Sequence, residues 1–272
     1  MFTLYFTLAL FGFMAGITTL LFGFGGGFII VPLLYRTLFT LYGADSAIGQ
    51  AAMHIAVATS TCVMIVSSAM ATCRHWRRGN LILGQAWPLA GYIALGAVAG
   101  SLLANATSGG AIRWLFVAYL AVTIADGLLR KGFISQRTTP ALYRQTAGKT
   151  ALSGLMIGTI ATFLGVGGSV MTVPMMRRRG LSMNLATAMA NPLSMPVALV
   201  GTLTYMIAAP GAASLPGHWY WGYVDMLAFL VLLAGSWLGM RAATPWVGRI
   251  PDKLHAKIYL ALLTLVLLTM AF

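Results

Sequence analysis

The chain has 272 residues, 59% of them hydrophobic and 8% charged, with a mean hydropathy of +0.86. A soluble domain carries roughly 25% charged residues, so this composition excludes one and places the chain in a bilayer. The formal net charge of +13 does not point to nucleic acid, because the bases stand in short clusters between apolar runs, as in positive-inside topology.

The N-terminus MFTLYFTLALF lacks a basic n-region, so no cleaved signal peptide is expected. Region 3–42 is apolar but is broken by GFGGGFIIVP at 23–32. Runs 46–72, 81–104 and 113–130 each reach the length of a spanning helix, about 20 residues. The first of these runs into RHWRRGN, with Arg74, Arg77 and Arg78; the uncharged stretch 105–112 separates the other two. A basic linker follows, with Arg130, Lys131, Arg137, Arg144 and Lys149. Region 147–176 is again apolar, is broken at GVGGS and ends at Arg177, Arg178 and Arg179. Helices are expected at 181–209, 222–240 and 257–272, with Arg241, Arg249, Lys253 and Lys257 around the last connection. Cys62 and Cys73 have neither metal-ligand spacing nor the number for a disulfide framework.

Residues 9–34 align without a gap on 151–176, at an offset of 142. Gly12/Gly154, Gly16/Gly158, Gly23/Gly165, Gly25/Gly167, Gly26/Gly168 and Pro32/Pro174 are identical pairs. Shared hydrophobicity alone does not keep glycines and a proline in register. Two repeats are expected, 1–135 and 147–272, joined by a cytoplasmic basic linker at 136–146.

Loop charge orients the repeats. Helix 46–72 ends in a basic loop, while its counterpart 181–209 starts after RRRG and ends in PGAASLPGHW, which has no Lys or Arg. Equivalent helices then cross in opposite directions, an inverted-topology repeat of the kind found in secondary transporters. The second glycine region leaves a basic linker and returns to a basic loop, so it is expected to be a hairpin bent at GVGGS. By symmetry GFGGG bends a hairpin entering from the other face, and the two tips approach near the middle of the bilayer. The expected fold is an all-α integral membrane protein, each half a glycine-broken hairpin plus about three spanning helices, about 8–10 segments in all. The basic loops are expected to be cytoplasmic, in a bacterial inner membrane.

Non-helical backbone at that depth must line a cavity or be buried in protein. Short helices are expected to restart at about Phe28 and Val170, with first amides that lack intrahelical acceptors. The amides of Gly25, Gly26, Gly27, Gly167, Gly168 and Ser169 then offer a small-anion site, since helix N-termini attract anions. Gly23, Pro32, Gly165 and Pro174 are the expected break or hinge positions. Plain packing is the alternative for any such glycine, and is the expectation for Gly12, Gly16, Gly96, Gly100, Gly154, Gly158, Gly235 and Gly239.

Polar residues inside the helices extend the candidate site. His54 is the one histidine well inside an expected span and is a candidate for substrate or proton, against the plainer reading of a neutral ring bonded to a carbonyl. Thr59, Ser60, Asn191 and Ser194 are further substrate-binding candidates; such hydroxyls also bond back within their own helix. Pro192 and Pro196 are expected to kink helix 181–209. The four carboxylates, Asp45, Asp126, Asp225 and Asp252, fall in loops or near helix ends, so no sodium cage or acidic proton relay is expected.

GFGGGFIIVPLL and GVGGSVMTVPMM, with RRGN after the next helix, resemble the paired glycine–proline signatures of the TauE/SafE family, the sulfite-exporter-like membrane proteins. The resemblance covers nearly the whole chain, with Ser169 in place of a third glycine and ANP at 190–192 in place of a hydroxyl-rich segment. It implies export of sulfite, an organosulfonate or a related sulfur-containing anion. The residues themselves support a secondary transporter working by alternating access, with an anion channel and a non-transporting membrane subunit or enzyme as alternatives. HExxH, GxSxG, P-loop and acidic metal-cluster patterns are absent from the sequence, so no catalysis, cofactor or metal is expected. The expected partners are a small anion and the lipid bilayer, with a coupled proton and a second copy as further candidates, and no nucleic acid.

Overall fold

The computed structural model describes residues 2–81, 83–129, 133, 147–207 and 219–272. The linker at 136–146, with Arg137 and Arg144, and most of the loop PGAASLPGHW lie outside the described residues. Ten α-helices make up the described fold: α1 (Phe2–Phe22), α2 (Gly27–Tyr42), α3 (Ala47–Arg77), α4 (Leu83–Asn105), α5 (Gly109–Leu129), α6 (Ala147–Leu164), α7 (Ser169–Arg178), α8 (Met183–Ile207), α9 (Met226–Ala243) and α10 (Asp252–Ala271). A two-stranded antiparallel ribbon, β1 (Tyr220–Trp221) and β2 (Val224–Asp225), precedes α9. The ribbon was not expected; Gly222 at φ +59 turns it.

Six helices are long and apolar enough to cross a membrane, and the chain is an integral membrane protein of all-α class. α8 has 25 residues but is not one of the six; Asn191, Pro192, Ser194 and Pro196 interrupt its apolar run. α3, with 31 residues, is the central pillar and the most buried span. Its start is fixed by Ser46, whose Oγ accepts from the Gly49 amide at 2.9 Å. α9 is started by Asp225, whose Oδ1 accepts from the amides of Leu227 and Ala228 at 3.1 and 2.9 Å. Both satisfy amides that a helix start leaves open.

Glycines join the two halves by exchange. A Cβ on Gly12 or Gly16 of α1 would stand 2.3 or 2.1 Å from the carbonyl oxygens of Leu232 and Ser236 on α9, and Gly235 and Gly239 meet Ala9 and Phe13 in return. The α4–α6 seam is built likewise: a Cβ on Gly96 or Gly100 would stand 2.2 Å from the oxygens of Leu155 and Thr159, and Gly158 meets Ile93. The small-residue spacing thus packs backbone on backbone, as expected for these glycines.

At each glycine break the chain turns from one helix into the next; α1 and α2 pack on each other, while α6 and α7 stand apart across a groove. Leu4 and Leu8 of α1 share a small cavity with Leu38 and Tyr42 of α2, and Ser153 of α6 lies in the same groove as Arg178 of α7. α2 ends beside Tyr220 and Asp225, while α7 ends among the basic residues, so the two hairpins open toward opposite ends of the bundle.

The basic end is tightly laced. Buried Arg177 pairs with Asp252 at 2.9 Å and donates to the Phe133 carbonyl at 2.6 Å. Arg178 pairs with Asp126, and Arg78 donates to the carbonyls of Thr244 and Val247. His75 and His255 donate from Nε2 to the carbonyls of Leu20 and Leu21, the last turn of α1, at 2.9 and 2.8 Å. At the other end Arg36 and Arg113 donate to the carbonyls of Thr269, Met270 and Ala271, which α10 leaves open at its C-terminus.

Candidate functional site

The two glycine breaks, 142 residues apart in sequence, touch. A Cβ on Gly27 would stand 2.5 Å from the Gly165 carbonyl oxygen. Both breaks lie against the middle of α3 and α8. Met64 Sδ is 2.8 Å from the Cβ position of Gly25 and 2.7 Å from that of Gly167, and Ser194 flanks the same two positions. Gly25 and Gly167 hold nearly the same left-handed backbone, φ +67 and +68, which favours glycine.

Each break ends one helix and starts another. The Gly23 amide donates to Thr19 O and the Gly165 amide to Thr162 O, closing α1 and α6. The next helices take their first internal bonds at Ile30 N to Gly26 O and Met171 N to Gly168 O. The amides of Gly27, Phe28, Ser169 and Val170 therefore precede any intrahelical acceptor. α2 and α7 start at equivalent positions, Gly27 and Ser169, one residue earlier than expected. The third glycines differ: Gly26 has φ 95 and ψ −38, whereas Gly168 is helical at φ −70 and ψ −7. The copies are thus not conformationally equal there. Gly23 and Gly165 do sit in the breaks, but Pro32 and Pro174 do not. Each is the sixth residue of a continuous helix, where it removes the amide that would bond Phe28 O or Val170 O.

α3 holds both breaks with two serines seven residues apart. Ser60 Oγ bonds back to Val57 O at 2.8 Å and also reaches Gly165 O at 3.1 Å, and Ser67 Oγ donates to Gly25 O at 2.7 Å. With Met64 between them they form one helical stripe, since residues three and four apart share a face. Ser60 was among the sequence candidates; Ser67 and Met64 were not, although their spacing was legible.

Some of the fully buried polar atoms without a partner lie here, others being elsewhere in the bundle. Those here include the hydroxyls of Thr162, Ser169 and Thr172 around the second break and Oδ1 of Asn191 on α8. Asn191 spends Nδ2 on Thr187 O at 3.4 Å, and Ser194 Oγ donates to Ala190 O at 2.9 Å. An unmet buried hydroxyl costs about 1–3 kcal/mol, so such groups mark a place where a ligand can be held. No Lys, Arg, Asp or Glu occurs in 46–73 or 181–224. Helix N-termini, amides and hydroxyls therefore dominate the electrostatics of the breaks, which suits a small anion. Among the described residues no group of three or more His, Cys, Asp or Glu could hold a metal.

Two sequence candidates stand apart from the breaks. His54 lies about 9 Å along α3 from Ser60, close to the carbonyls of Ala104 and Thr107 (Nε2 at 3.3 and 3.1 Å), and stacks on Tyr223. It ties α3 to the α4–α5 turn. Thr59 accepts from the Asp225 amide at 3.0 Å and holds the ribbon. Burial raises the Asp225 carboxyl above its ordinary pKa, opposed by the amides of Ala228 and Leu227.

Comparison with known proteins agrees with this architecture. The family model described as sulfite exporter TauE/SafE matches residues 8–270. A "Probable membrane transporter protein" of Haemophilus influenzae is 25% identical over 270 residues, covering 99% of each chain. One of the same description from Methanocaldococcus jannaschii is 25% identical over 225 residues, covering 81% of this chain and 78% of its own. No solved structure gives a significant match.

Proposed function

The chain belongs to the sulfite exporter TauE/SafE family, and from that membership we propose that it is a secondary transporter exporting a small sulfur-containing anion. The anion binds where the two breaks meet, between Gly25–Gly27 and Gly167–Ser169, against Ser60, Ser194 and Asn191. The observation that carries this reading is the contact of the two breaks at the middle of α3 and α8. Main-chain amides bind the anion's oxygens there, and the unpartnered hydroxyl of Ser169 donates to it, while Ser60, Ser194 and Asn191 wall the site with their own donors spent on carbonyls. Because the hairpins open toward opposite ends, rocking one repeat against the other exposes the anion to one side at a time, the behaviour of an inverted repeat. The basic end is the cytoplasmic one, by the positive-inside rule.

The test is uptake by purified protein in liposomes, comparing sulfite, sulfate, thiosulfate and an alkylsulfonate under imposed pH gradients. Saturable flux of a sulfur oxyanion is expected, with gradient dependence only if a proton is coupled. Flux indistinguishable from empty liposomes for every anion refutes the reading. Non-saturating, channel-sized flux replaces it with a pore.

A further inference from the structure

The two hairpins are flanked unequally, and the cause is readable in the repeat. Around the first, Phe24 stacks on Phe28 at 4.4 Å and on Tyr259 of α10 at 4.9 Å, so α10 closes against the hairpin. At the offset of 142, valines Val166 and Val170 replace Phe24 and Phe28 in the second hairpin. Val170 lines a groove of about 840 Å³ between α5, α6 and α7, where its smaller side chain stands in the place that Phe28 holds in the first copy.

The groove opens sideways. Val122 and Met156 line it and are 69% and 51% exposed on the outer face of the bundle, and α5 is the least buried of the spans. On a spanning helix that face meets lipid. Its body is apolar, while Asp126, Ser153, Arg178 and Arg179 line it toward the basic end. Lys149, exposed and one turn before Ser153, accepts that serine's Oγ hydrogen bond on its carbonyl. Two arginines and one carboxylate thus line the mouth of an apolar slot, with exposed Lys149 one turn before Ser153 on α6. From Tyr119 to Asp126 the slot follows α5 for about 10 Å, within the roughly 15 Å depth of one leaflet's hydrocarbon.

We propose that this groove binds one anionic phospholipid, with its acyl chain between α5 and α6 and its phosphate at Lys149, Arg178 and Arg179. The net positive mouth selects an anionic headgroup over a zwitterionic one, and the apolar slot selects a lipid over free phosphate. This site is separate from the glycine breaks and does not depend on which anion is transported.

The test uses the purified full chain in detergent, with phosphatidylglycerol and phosphatidylcholine of identical chains added separately, and with inorganic phosphate as the headgroup-only arm. Native mass spectrometry reads retained lipid and thermal melting reads stabilisation. Phosphatidylglycerol should be retained roughly ten-fold better than phosphatidylcholine and should raise the melting temperature, while phosphate does neither. Joint Lys149→Ala and Arg179→Ala should remove the preference, with Arg178 left to hold Asp126. Met156→Trp, which fills the slot, should lower retention of both lipids. Equal retention of the two lipids overturns the proposal, as does unchanged phosphatidylglycerol retention in Met156→Trp. A dimer that becomes a monomer in Met156→Trp without loss of lipid also overturns it, because the groove is then a subunit interface.

Discussion

Alanine at Gly26 and at Gly168 separates backbone strain from anion contact. Gly26 has φ 95, where an L residue is strained, and its added Cβ would meet Ser67 Oγ at 2.9 Å. Strain of about 1–3 kcal/mol adds to about 1 kcal/mol for displacing the Ser67 hydroxyl from Gly25 O. At about 2–4 °C per kcal/mol for a chain approaching this size, Gly26→Ala should melt roughly 5–15 °C lower. Gly168 has an ordinary φ of −70, and its Cβ would meet Ile157 Cγ2 at 3.1 Å. That overlap costs about 1 kcal/mol and a few degrees. The backbone shift that relieves the contact with Ile157 nevertheless moves the amides of Ser169 and Val170, the next two in the chain. A helix N-terminus contributes about 0.3–2 kcal/mol to an anion, so sulfite affinity should fall roughly 2- to 30-fold. Differential scanning fluorimetry and calorimetric sulfite titration of both variants make the comparison. Normal sulfite affinity in Gly168→Ala, with only a lower melting temperature, would show that the second break is structural. Wild-type melting in Gly26→Ala would remove the strain argument.

Three further outcomes follow from the geometry. Asp252→Ala leaves Arg177 buried without its partner and strips the acceptor of the Met183 amide; removing one member of a buried pair costs about 3–5 kcal/mol. That variant should be recovered poorly from membranes, while Asp252→Asn, which keeps the acceptor, should recover in part. Because the folded Asp225 carboxyl is raised above its unfolded pKa, the folded state holds the proton more tightly. Its stabilising contribution is full below the unfolded value and is lost as pH rises through the folded one. Asp225→Asn, still a good helix cap, should flatten that part of the pH–melting curve, and an unchanged curve would clear Asp225 of the effect. His54→Gln should leave transport and its pH profile unaltered, since the ring sits against two backbone carbonyls at the α4–α5 turn; a flattened profile would return His54 to the proton path.

Much of this was legible because glycine and proline punctuate the chain in register. The 142-residue repeat located both breaks, and the basic loops gave the second hairpin its turn back. Helix-packing glycines were identified by spacing alone, and each then met a backbone oxygen across a seam. What escaped was side-chain reach. Nothing local distinguishes Ser67, which binds Gly25 O, from Ser68, which bonds back to Met64 O. For His54 the sequence offers both a substrate or proton role and a ring bonded to a carbonyl, and it could not say which carbonyls, because those it meets belong to residues 50 and more positions away. The prolines looked like the ends of the breaks because proline often stops helices; here each sits one turn beyond an open helix start, where the chain tolerates it. The unequal flanks of the hairpins needed the phenylalanine-to-valine differences to be seen in space.

The claim at the centre is that an anion is held between the two breaks. Anomalous scattering from crystals grown with selenite, the selenium counterpart of sulfite, tests it most directly. One ordered selenium site is expected within hydrogen-bond reach of the amides of Gly27 and Ser169, beside Ser194, with lower occupancy in Gly168→Ala at the same selenite concentration. A selenium site elsewhere, with the region between Gly25 and Gly167 filled by Met64 alone, would contradict it.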